Sequence, residues 1–467
     1  MRKFYNNFYL IIFLSLLFHI CASYFSTGWL NADEQSCVLE YVNLKLGYSS
    51  NPCFLTYKEG IVDSNSSIKL RSFSQPYLYY VIAKILMFFD LKNFIIITFL
   101  FKLISSFLGW LSILFFYNLT KNEFKNILIK DLYLILIFLF WFYPLLHART
   151  SAENLSITFF LFGISFYLYF KNNINFYKSL IIASCLSISF VFRYNIIFCI
   201  IFFYIWILIF ENISLRNKIQ LILYSSLSGL IILILEFLIN IWGFYNEINL
   251  QKIIFDINFL IKESPLVQLF FYFEGNNYYS NNHWSKHSIF GYIKIILFKF
   301  YPPLSLLVLL SLCYITIKNY KHLLVWIIIP YFLIHSFIPH KELRYVFPIL
   351  IFSPYLICYF LDKVQFLKKY LNQISKILIT LNIFPLLFFS FTSLRPELNV
   401  LNELYYSDIK KIFYINSDET IKDYESINPF ELDLITDNYY FKFLDVEVKK
   451  RNNNKIKKIG SCRSEKH

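Results

Sequence analysis

A run of four ionisable side chains lies between two long apolar segments of this 467-residue chain: His340, Lys341, Glu342 and Arg344. Insertion scales give a cost of about 2.5–3.5 kcal/mol for each such charge at the centre of a bilayer. The run therefore belongs at a membrane surface or in a polar cavity. From the spacing alone, a plain connecting loop and a functional site both remain open.

An acidic pair, Asp33 and Glu34, follows the first apolar run of the chain. Carboxylates in this position could bind a metal, act as a base or simply be solvated. Arg71 precedes the next apolar run, and its guanidinium could hold a phosphate through two parallel hydrogen bonds or anchor the chain at the interface. The acidic pair and the arginine are therefore further candidates for a functional site.

Four further charges lie at the ends of apolar stretches or inside them. Arg149 and Glu153 are four residues apart at the start of a predicted helix, a spacing at which they could pair with each other. Arg193 lies between two short apolar runs, where a charge is a functional candidate by default. Glu236 lies inside an apolar helix and needs a partner or a cavity.

A long loop at 242–288 carries the run Asn276-Asn-Tyr-Tyr-Ser-Asn-Asn-His-Trp-Ser285. Its aromatic and amide groups, with His283 and Trp284 among them, are typical of sugar-binding surfaces. An aromatic belt at the membrane interface would give the same composition. Both interpretations stay open at this point.

The elements that must position these residues are apolar helices. The chain is 57% hydrophobic, 16% charged and has a mean hydropathy of +0.52, which excludes an ordinary soluble protein. Many stretches approach the roughly 20 residues that cross a bilayer. The composition predicts an all-α polytopic membrane protein, so the net charge of +14 reflects topology rather than a nucleic-acid partner.

Lysine-bearing connectors predict the orientation of the spans. The positive-inside rule places the connectors on the cytoplasmic face, and they lie at 117–130, 171–178, 213–218, 317–322 and 362–376. The other loops, with a long first loop at 25–75, then face outward. The alternation of cytoplasmic and outward loops fails only at 76–116. Two apolar runs appear there where the alternation allows one span, so one of the runs is expected to be re-entrant or interfacial. About eleven spans result.

Two regions are predicted. Residues 1–392 form the multi-spanning domain, and residues 393–467 form a small polar α/β appendage on the outward, lumenal or periplasmic side. Alternating runs at 411–415 and 439–443 predict strands within it, and the basic stretch from Lys449 to His467 predicts disorder.

No Walker A, GxGxxG or Asp-x-Asp motif for a nucleotide sugar is present in the sequence. An enzyme of this kind would therefore take its activated substrate from the lipid.

The candidate motifs, in their order along the chain, resemble the dolichyl-phosphate-mannose-dependent α-mannosyltransferases of the GPI-anchor and N-glycan pathways, a family of the multi-spanning GT-C class. Pro339-His-Lys-Glu-Leu-Arg-Tyr-Val-Phe-Pro348 is similar to the family's His-Lys-Glu-x-Arg-Phe box. Ala32-Asp-Glu-Gln is similar to its Pro-Asp-Glu first-loop motif. Thr56-Tyr-Lys-Glu59 and Leu70-Arg-Ser72 resemble further first-loop elements, and Arg149-Thr-Ser resembles another.

The match departs from the family at several points. Ala32 replaces the usual proline, and a His-Pro-Trp-His-Trp type of motif is reduced to His283-Trp284. These departures leave the class intact and leave the acceptor open.

The resemblance implies a GT-C-type bundle and a role for each site residue. Asp33 would accept the proton of the acceptor hydroxyl, with Glu34 shaping the site. The donor's lipid phosphate would be held by Arg71, Arg149, His340, Lys341 and Arg344. The acceptor sugar would be bound by Glu59, Glu342, Arg193, His283 and Trp284. No metal and no cofactor are expected, because the donor is a polyprenyl phosphate mannose and the cations supply positive charge. The expected partners are the bilayer and the two lipid substrates, not nucleic acid.

Several alternatives remain. The acceptor expected first is a GPI-anchor precursor, followed by a lipid-linked N-glycan precursor and a bacterial envelope glycan. The site would face the endoplasmic reticulum lumen in a eukaryote and the periplasm in a bacterium. A flippase for lipid-linked sugars would instead use Glu236 and Arg193 along a translocation path. Another GT-C sugar specificity and a non-enzymatic scaffold subunit are the remaining alternatives.

Overall fold

The computed structural model describes most of the membrane domain and little of the rest. The described residues are 8–30, 34, 38–47, 56–57, 68–69, 72–91, 93–245, 256, 264, 269, 286–394, 411–414 and 447–450.

Helices dominate these residues. They are α1 Phe8–Phe25, α2 Glu40–Leu46, α3 Ser74–Phe88, α4 Phe94–Thr120, α5 Ile127–Leu139, α6 Phe142–His147, α7 Ala152–Phe170, α8 Phe176–Phe192, α9 Ile197–Phe210, α10 Leu215–Tyr245, α11 Gly291–Lys299, α12 Pro302–Lys318, α13 Leu323–Phe337, α14 Phe347–Leu350, α15 Ser353–Lys363 and α16 Leu371–Phe391. Short 3-10 turns occupy Lys121–Glu123, Tyr194–Ile196, Leu343–Val346 and Gln365–Tyr370.

Within the described ranges, six helices are long and apolar enough to cross a membrane, and two bent helix pairs raise the number to eight. The molecule is therefore an all-α, multi-pass integral membrane protein, as its composition predicts.

The described strands form two short pairs. The antiparallel pair is β1 Thr56–Tyr57 with β2 Ile68–Lys69, and the parallel pair is β3 Lys411–Tyr414 with β4 Glu447–Lys450. β3 covers four of the five residues at which the sequence predicts a first C-terminal strand. The second predicted strand, at 439–443, lies outside the described residues, and the appendage stays a prediction.

Polar caps start the apolar helices. The side chains of Asn93, Asn126 and Asn175 accept hydrogen bonds from backbone N–H groups in the first turns of α4, α5 and α8. Ser151 does the same for α7, with its Oγ 3.3 Å from the Asn154 nitrogen. The first N–H groups of a helix have no partner within the helix, so these caps satisfy donors next to an apolar medium.

Small residues allow close helix packing in the centre of the bundle. Ser156 of α7 and Ser189 of α8 exchange hydrogen bonds with each other's backbone carbonyls, at 2.8 and 2.6 Å. A Cβ at Gly163 of α7 would meet the Leu186 side chain of α8 at 2.6 Å. Packing through small and hydroxyl-bearing residues is typical of membrane helices, which gain little from burying apolar surface against each other.

The bundle has two chemically different ends. At the first, which we call the basic end, Tyr355 donates to Glu123 at 2.5 Å and Trp206 donates to the Lys321 carbonyl at 2.7 Å. The lysine-bearing connectors lie at this end. Lys171 of one connector pairs with Glu211, next to another, across 3.5 Å. The five connectors assigned to one face by their lysines thus lie at one end of the bundle.

The opposite end, which we call the polar end, collects the remaining connectors: 26–30, 148–151, 193–195 and 338–346. The Gln75 side chain donates to the Thr150 carbonyl there, at 2.7 Å, which places the start of α3 at this end. Tyr79 of α3 then bonds Ser105 of α4 at 2.6 Å. Ser74–Phe88 is not among the described helices long enough to cross, and the expectation that one of the two runs at 76–116 does not span stays a prediction.

The apolar segment at 289–316 is broken, although the sequence reads as one continuous run. α11 ends at Lys299 and α12 begins at Pro302. Tyr301 between them has a φ of 57°, which a continuous helix does not allow. Two prolines at the start of α12 favour this break, because proline suits the first turn of a helix.

Candidate functional site

Arg149 is the largest fully buried side chain at the polar end, with no exposed surface. It lies in the connector between α6 and α7, and its guanidinium donates to the carbonyls of Ser26, Gly28 and Leu145, each at 3.3 Å. Arg149 therefore holds the segment where the chain leaves α1, directly before the predicted acidic pair.

Lys102 of α4 reaches the same segment. Its ammonium donates to the Ser26 carbonyl at 2.8 Å, beside the guanidinium of Arg149, and its side chain is 4% exposed. Two cations thus converge on one carbonyl. A buried cation pair needs an anion nearby, because burial disfavours unpaired charge.

Glu34 is the carboxyl on which the charges of both cations act. Its Oε1 accepts a hydrogen bond from the Leu30 N–H at 3.1 Å, and its Oε2 has no hydrogen-bond partner among the described residues. Burial raises the pKa of the Glu34 carboxyl above its ordinary value, while the charges of Arg149 and Lys102 act in the opposite direction. One member of the acidic pair predicted from the sequence therefore lies within electrostatic reach of the two cations.

A second group of charges forms a chain of ion pairs. Glu153, at the start of α7, lies 3.2 Å from Nη2 of Arg193 and 3.9 Å from Nη1 of Arg344. Arg344 also contacts Glu342, through Nε at 2.5 Å and Nη2 at 3.1 Å. His340 closes the chain, with its Nε2 2.8 Å from Oε1 of Glu342. Glu153 thus pairs with arginines from two other segments rather than with Arg149, its neighbour in sequence.

Tyr345 is close to both arginines. The guanidinium carbons of Arg193 and Arg344 are 5.7 and 5.3 Å from the centre of its ring. Cation–π contacts of this kind add to the ion pairs when the groups are desolvated. The Tyr345 ring therefore contacts both guanidinium groups that the Glu153 carboxylate pairs with.

The local fold around Tyr345 explains its position. The Leu343–Val346 turn is a 3-10 helix that is followed directly by α14, with Pro348 in the first turn of that helix. Tyr331 of α13 donates to the Tyr345 carbonyl at 2.7 Å, and Asn195 donates to the Tyr331 hydroxyl at 3.2 Å. Proline on one side and two hydrogen bonds on the other hold the turn at the polar end.

Lys341 faces away from this chain of ion pairs. Its ammonium donates to the carbonyls of Ser336 and Ile338, at 2.7 and 2.5 Å, and lies 5.1 Å from the centre of the Tyr292 ring. Burial lowers the pKa of Lys341. Four neighbouring residues of the motif therefore have two different environments.

The geometry brings together six of the sequence-predicted site residues at one end of the bundle. These are Glu34, Arg149, Arg193, His340, Glu342 and Arg344. Lys341 is at the same end with its ammonium bound to backbone. The remaining predicted residues lie outside the described part of the chain, and they are Asp33, Glu59, Arg71, His283 and Trp284.

Sequence reasoning missed Lys102 and left Glu153 out of the site. The signal was available for both, because an ionisable residue within an apolar span is a functional candidate by default. Lys102 interrupts the run Phe94–Thr120, and Glu153 stands in the first turn of α7. Tyr345 carries no signal beyond its place in the motif.

Within the residues that the structure describes, no three or more His, Cys, Asp or Glu side chains are grouped to hold a metal ion. The expectation that no metal is required stays a prediction. Chemically, the arrangement offers paired cations for an anionic group and carboxylates for hydroxyl groups. The same ion pairs would also serve a purely structural network.

Comparison with known proteins adds no family to this picture. No protein-family model matches the chain, and no curated protein matches it either. The class that the fold and the site define is a multi-pass membrane protein with a charged site at one end of its helical bundle.

Proposed function

We propose that the protein is an inverting GT-C-type glycosyltransferase that moves mannose from dolichyl, or another polyprenyl, phosphate mannose onto a GPI-anchor precursor. One observation carries the proposal: acids and cations from the segment after α1, α4, α7, the end of α8 and the His340–Arg344 motif converge at one end of the bundle. A lipid-linked donor and acceptor would meet at such an end, where both head groups leave the membrane.

The reaction needs one displacement. The acceptor hydroxyl oxygen forms a bond to the anomeric carbon of mannose, and the bond from that carbon to the phosphate oxygen breaks. The proton of the hydroxyl passes to a base, for which Asp33 is our candidate, and general-base help contributes about 10²–10⁴-fold in rate. The phosphate leaves as an anion, so no acid is needed.

Cations would stabilise the leaving phosphate. Arg149 and Lys102 already share one carbonyl oxygen within a buried setting, where positive charge acts strongly on a developing anion. Arg344 and His340 would contact the phosphate or a sugar hydroxyl, and Arg71 and Lys341 remain in the proposal as further phosphate ligands. Glu342 and Arg193 would bind the acceptor sugar, together with Glu59, His283 and Trp284.

We propose eleven crossings. The segments are Phe8–Phe25, Phe94–Thr120, 127–147, Ala152–Phe170, Phe176–Phe192, 194–210, Leu215–Tyr245, Pro302–Lys318, Leu323–Phe337, 343–363 and Leu371–Phe391. The pair α12 and α13 counts as two, because α12 leads to Asn319, which bonds Tyr359 at the basic end, and α13 returns to Ser336 and Lys341 at the polar end. The basic end would face the cytoplasm, with the site in the endoplasmic reticulum lumen of a eukaryote or the periplasm of a bacterium.

Transfer by the purified protein tests this function. Protein in detergent would be mixed with radiolabelled polyprenyl phosphate mannose and acceptors of two kinds, phosphatidylinositol-linked glycans and polyprenyl-pyrophosphate-linked glycans. Transfer to the first kind without nucleotide, lost in Asp33→Asn, is the expected result. Transfer to the second kind alone would move the acceptor to the N-glycan pathway. No transfer to either would overturn the enzyme assignment, and full activity of Asp33→Asn would remove Asp33 as the base.

A further inference from the structure

A cluster of hydrogen-bonded polar side chains lies inside the bundle, below the polar end. Glu236 of α10 is buried and stands nine residues before the end of that helix at Tyr245, which corresponds to about 14 Å along the helix axis. Its carboxylate accepts a hydrogen bond from the Tyr194 hydroxyl at 2.7 Å, and Ser72 and Asn240 also bond it. A carboxylate at this depth in an apolar helix is a functional candidate by default.

Tyr194 directly follows Arg193, whose guanidinium pairs with Glu153 at 3.2 Å. The backbone of Arg193 is extended, with φ −149° and ψ 105°, and lies between the end of α8 and the Tyr194–Ile196 turn. The regular helix is interrupted at this point, so the direction of the arginine side chain depends on what holds the turn. The hydrogen bond from Tyr194 to Glu236 ties the turn to α10.

The next residue of the turn is bound to α13. Asn195 donates to the Tyr331 hydroxyl at 3.2 Å, and its amide nitrogen lies 3.4 Å from Nε2 of His335. Both side chains of α13 are buried. Hydrogen bonds to α10 through Tyr194 and to α13 through Asn195 therefore fix the turn, and with it the direction of the arginine that precedes it.

The same cluster also holds the start of α3. Asn240, one turn beyond Glu236 on α10, accepts a hydrogen bond from the Phe73 N–H at 2.7 Å. Gln75, in the first turn of α3, donates to the Thr150 carbonyl at 2.7 Å, in the connector that leads to α7. Two routes therefore lead from the cluster to the start of α7, one through the turn after α8 and the other through α3.

We propose that Glu236 and Tyr194 are positioning residues that hold the Arg193 guanidinium against Glu153 at the polar end. The inference rests on the proposed function, in which Arg193 binds the acceptor sugar. A side chain that is held in its binding geometry before the substrate arrives loses less entropy on binding. A carboxylate suits this task, because hydrogen bonds to a charged acceptor are stronger than those between neutral groups.

Tyr194→Phe tests the inference, because it removes the hydroxyl that bonds Glu236 and keeps the ring. We expect it to raise the acceptor KM about tenfold, with kcat and the donor KM unchanged, since it weakens binding of the acceptor in the ground state and the transition state alike. Tyr204→Phe is the matched control, because that hydroxyl also bonds α10, at Ser225 across 2.8 Å. Its KM values should equal those of the wild type. A raised acceptor KM in both variants, or in neither, would overturn the inference.

A second variant covers the case in which Tyr194→Phe does not fold. The single substitution leaves the buried Glu236 carboxylate without one of its hydrogen bonds, which destabilises the protein. Tyr194→Phe/Glu236→Leu removes both partners and leaves no buried charge. It should raise the acceptor KM by the same factor, and a wild-type acceptor KM in this double variant would contradict the positioning role.

A double-mutant cycle on stability separates the inference from the function, because it needs no turnover. If Tyr194 holds Arg193 against Glu153, then Glu153→Gln should lower the thermal unfolding midpoint less in the Tyr194→Phe background than in the wild type or in Tyr204→Phe. This coupling supports the positioning role even if no transfer is found. An equal loss in all three backgrounds would overturn the inference, whereas transfer by the wild type tests the proposed function.

Discussion

Oε1 of Glu153 lies 3.2 Å from Nη2 of Arg193, and this ion pair joins the start of α7 to the end of α8. Both side chains are buried, and Arg344 approaches the same carboxylate oxygen at 3.9 Å. One carboxylate thus lies between two cations from distant parts of the sequence.

Glu153→Gln should lower the stability of the protein strongly. Removing one partner of a buried ion pair leaves the other charge buried and uncompensated, at a cost of about 3–5 kcal/mol. Unfolding of the detergent-solubilised protein measures the loss. Glu211→Gln is the matched control, because its partner Lys171 is partly exposed at the basic end and surface pairs contribute no more than about 1 kcal/mol. Equal losses in the two variants would contradict a buried pair at Glu153.

The stability of the wild type should fall with rising pH relative to Glu34→Gln. Burial raises the pKa of Glu34 in the folded state above its ordinary value of 4.5. The folded protein therefore binds the proton more tightly, so this contribution to stability is fully present below pH 4.5 and is lost as the pH rises through the folded-state pKa.

Urea or thermal unfolding of both proteins between pH 4 and 8 checks this expectation. The free energy of unfolding of the wild type, relative to that of Glu34→Gln, should decrease as the pH increases. A difference that is constant with pH, or that moves in the opposite direction, would show that burial does not raise the pKa of Glu34 in the folded protein.

Lys102→Met should lower the transfer rate while the protein still folds. Methionine keeps the apolar stem of the lysine but removes the charge beside Ser26 and Arg149. Loss of one electrostatic group at a reacting anion costs about 10²–10³-fold in kcat. Lys84→Met, at an exposed position on α3, is the control and should retain activity. Wild-type kcat in Lys102→Met would remove this lysine from the site.

Gly109→Ala should destabilise the bundle by about 1–3 kcal/mol through overpacking. A Cβ at this position would meet Cγ of His147 at 2.4 Å and would push its ring away from His19, whose Nε2 is 3.1 Å from Nδ1 of His147. Gly229→Ala is the matched control, because its Cβ meets only one atom at 3.4 Å. The thermal unfolding midpoints of the two variants measure the difference, and equal midpoints would contradict the close approach of α4 to His147.

Cysteines at the two ends should react from opposite sides of the membrane. Lys363→Cys lies at the basic end, and Lys286→Cys lies next to the segment whose His287 N–H donates to the Pro339 carbonyl at 3.1 Å, at the polar end. In a background without native cysteines, a membrane-impermeant maleimide applied to sealed vesicles of one orientation should label one position and not the other. Labelling of both from one side would contradict the proposed orientation of the bundle.

The sequence by itself determined the class of fold and the charged motifs. Its apolar runs predict membrane helices, because lipid offers no hydrogen-bond partners and a helix satisfies the backbone N–H and C=O groups within its own segment. The positions of the lysines predicted which connectors lie together at the basic end. Charges in apolar surroundings indicated Arg149, Arg193 and the His340–Arg344 motif as site residues.

Only the tertiary structure decided which charges meet. The four-residue spacing favoured a pair between Arg149 and Glu153, but Glu153 contacts Arg193 and Arg344 instead. These two arginines are within reach because α7 packs against α8 and against the Leu343–Val346 turn. The break at Tyr301 and the hydrogen-bond partners of Glu236 were equally invisible in the sequence. Periodicity and hydropathy describe each segment separately, whereas ion pairs and hydrogen bonds between helices depend on how distant segments pack in three dimensions.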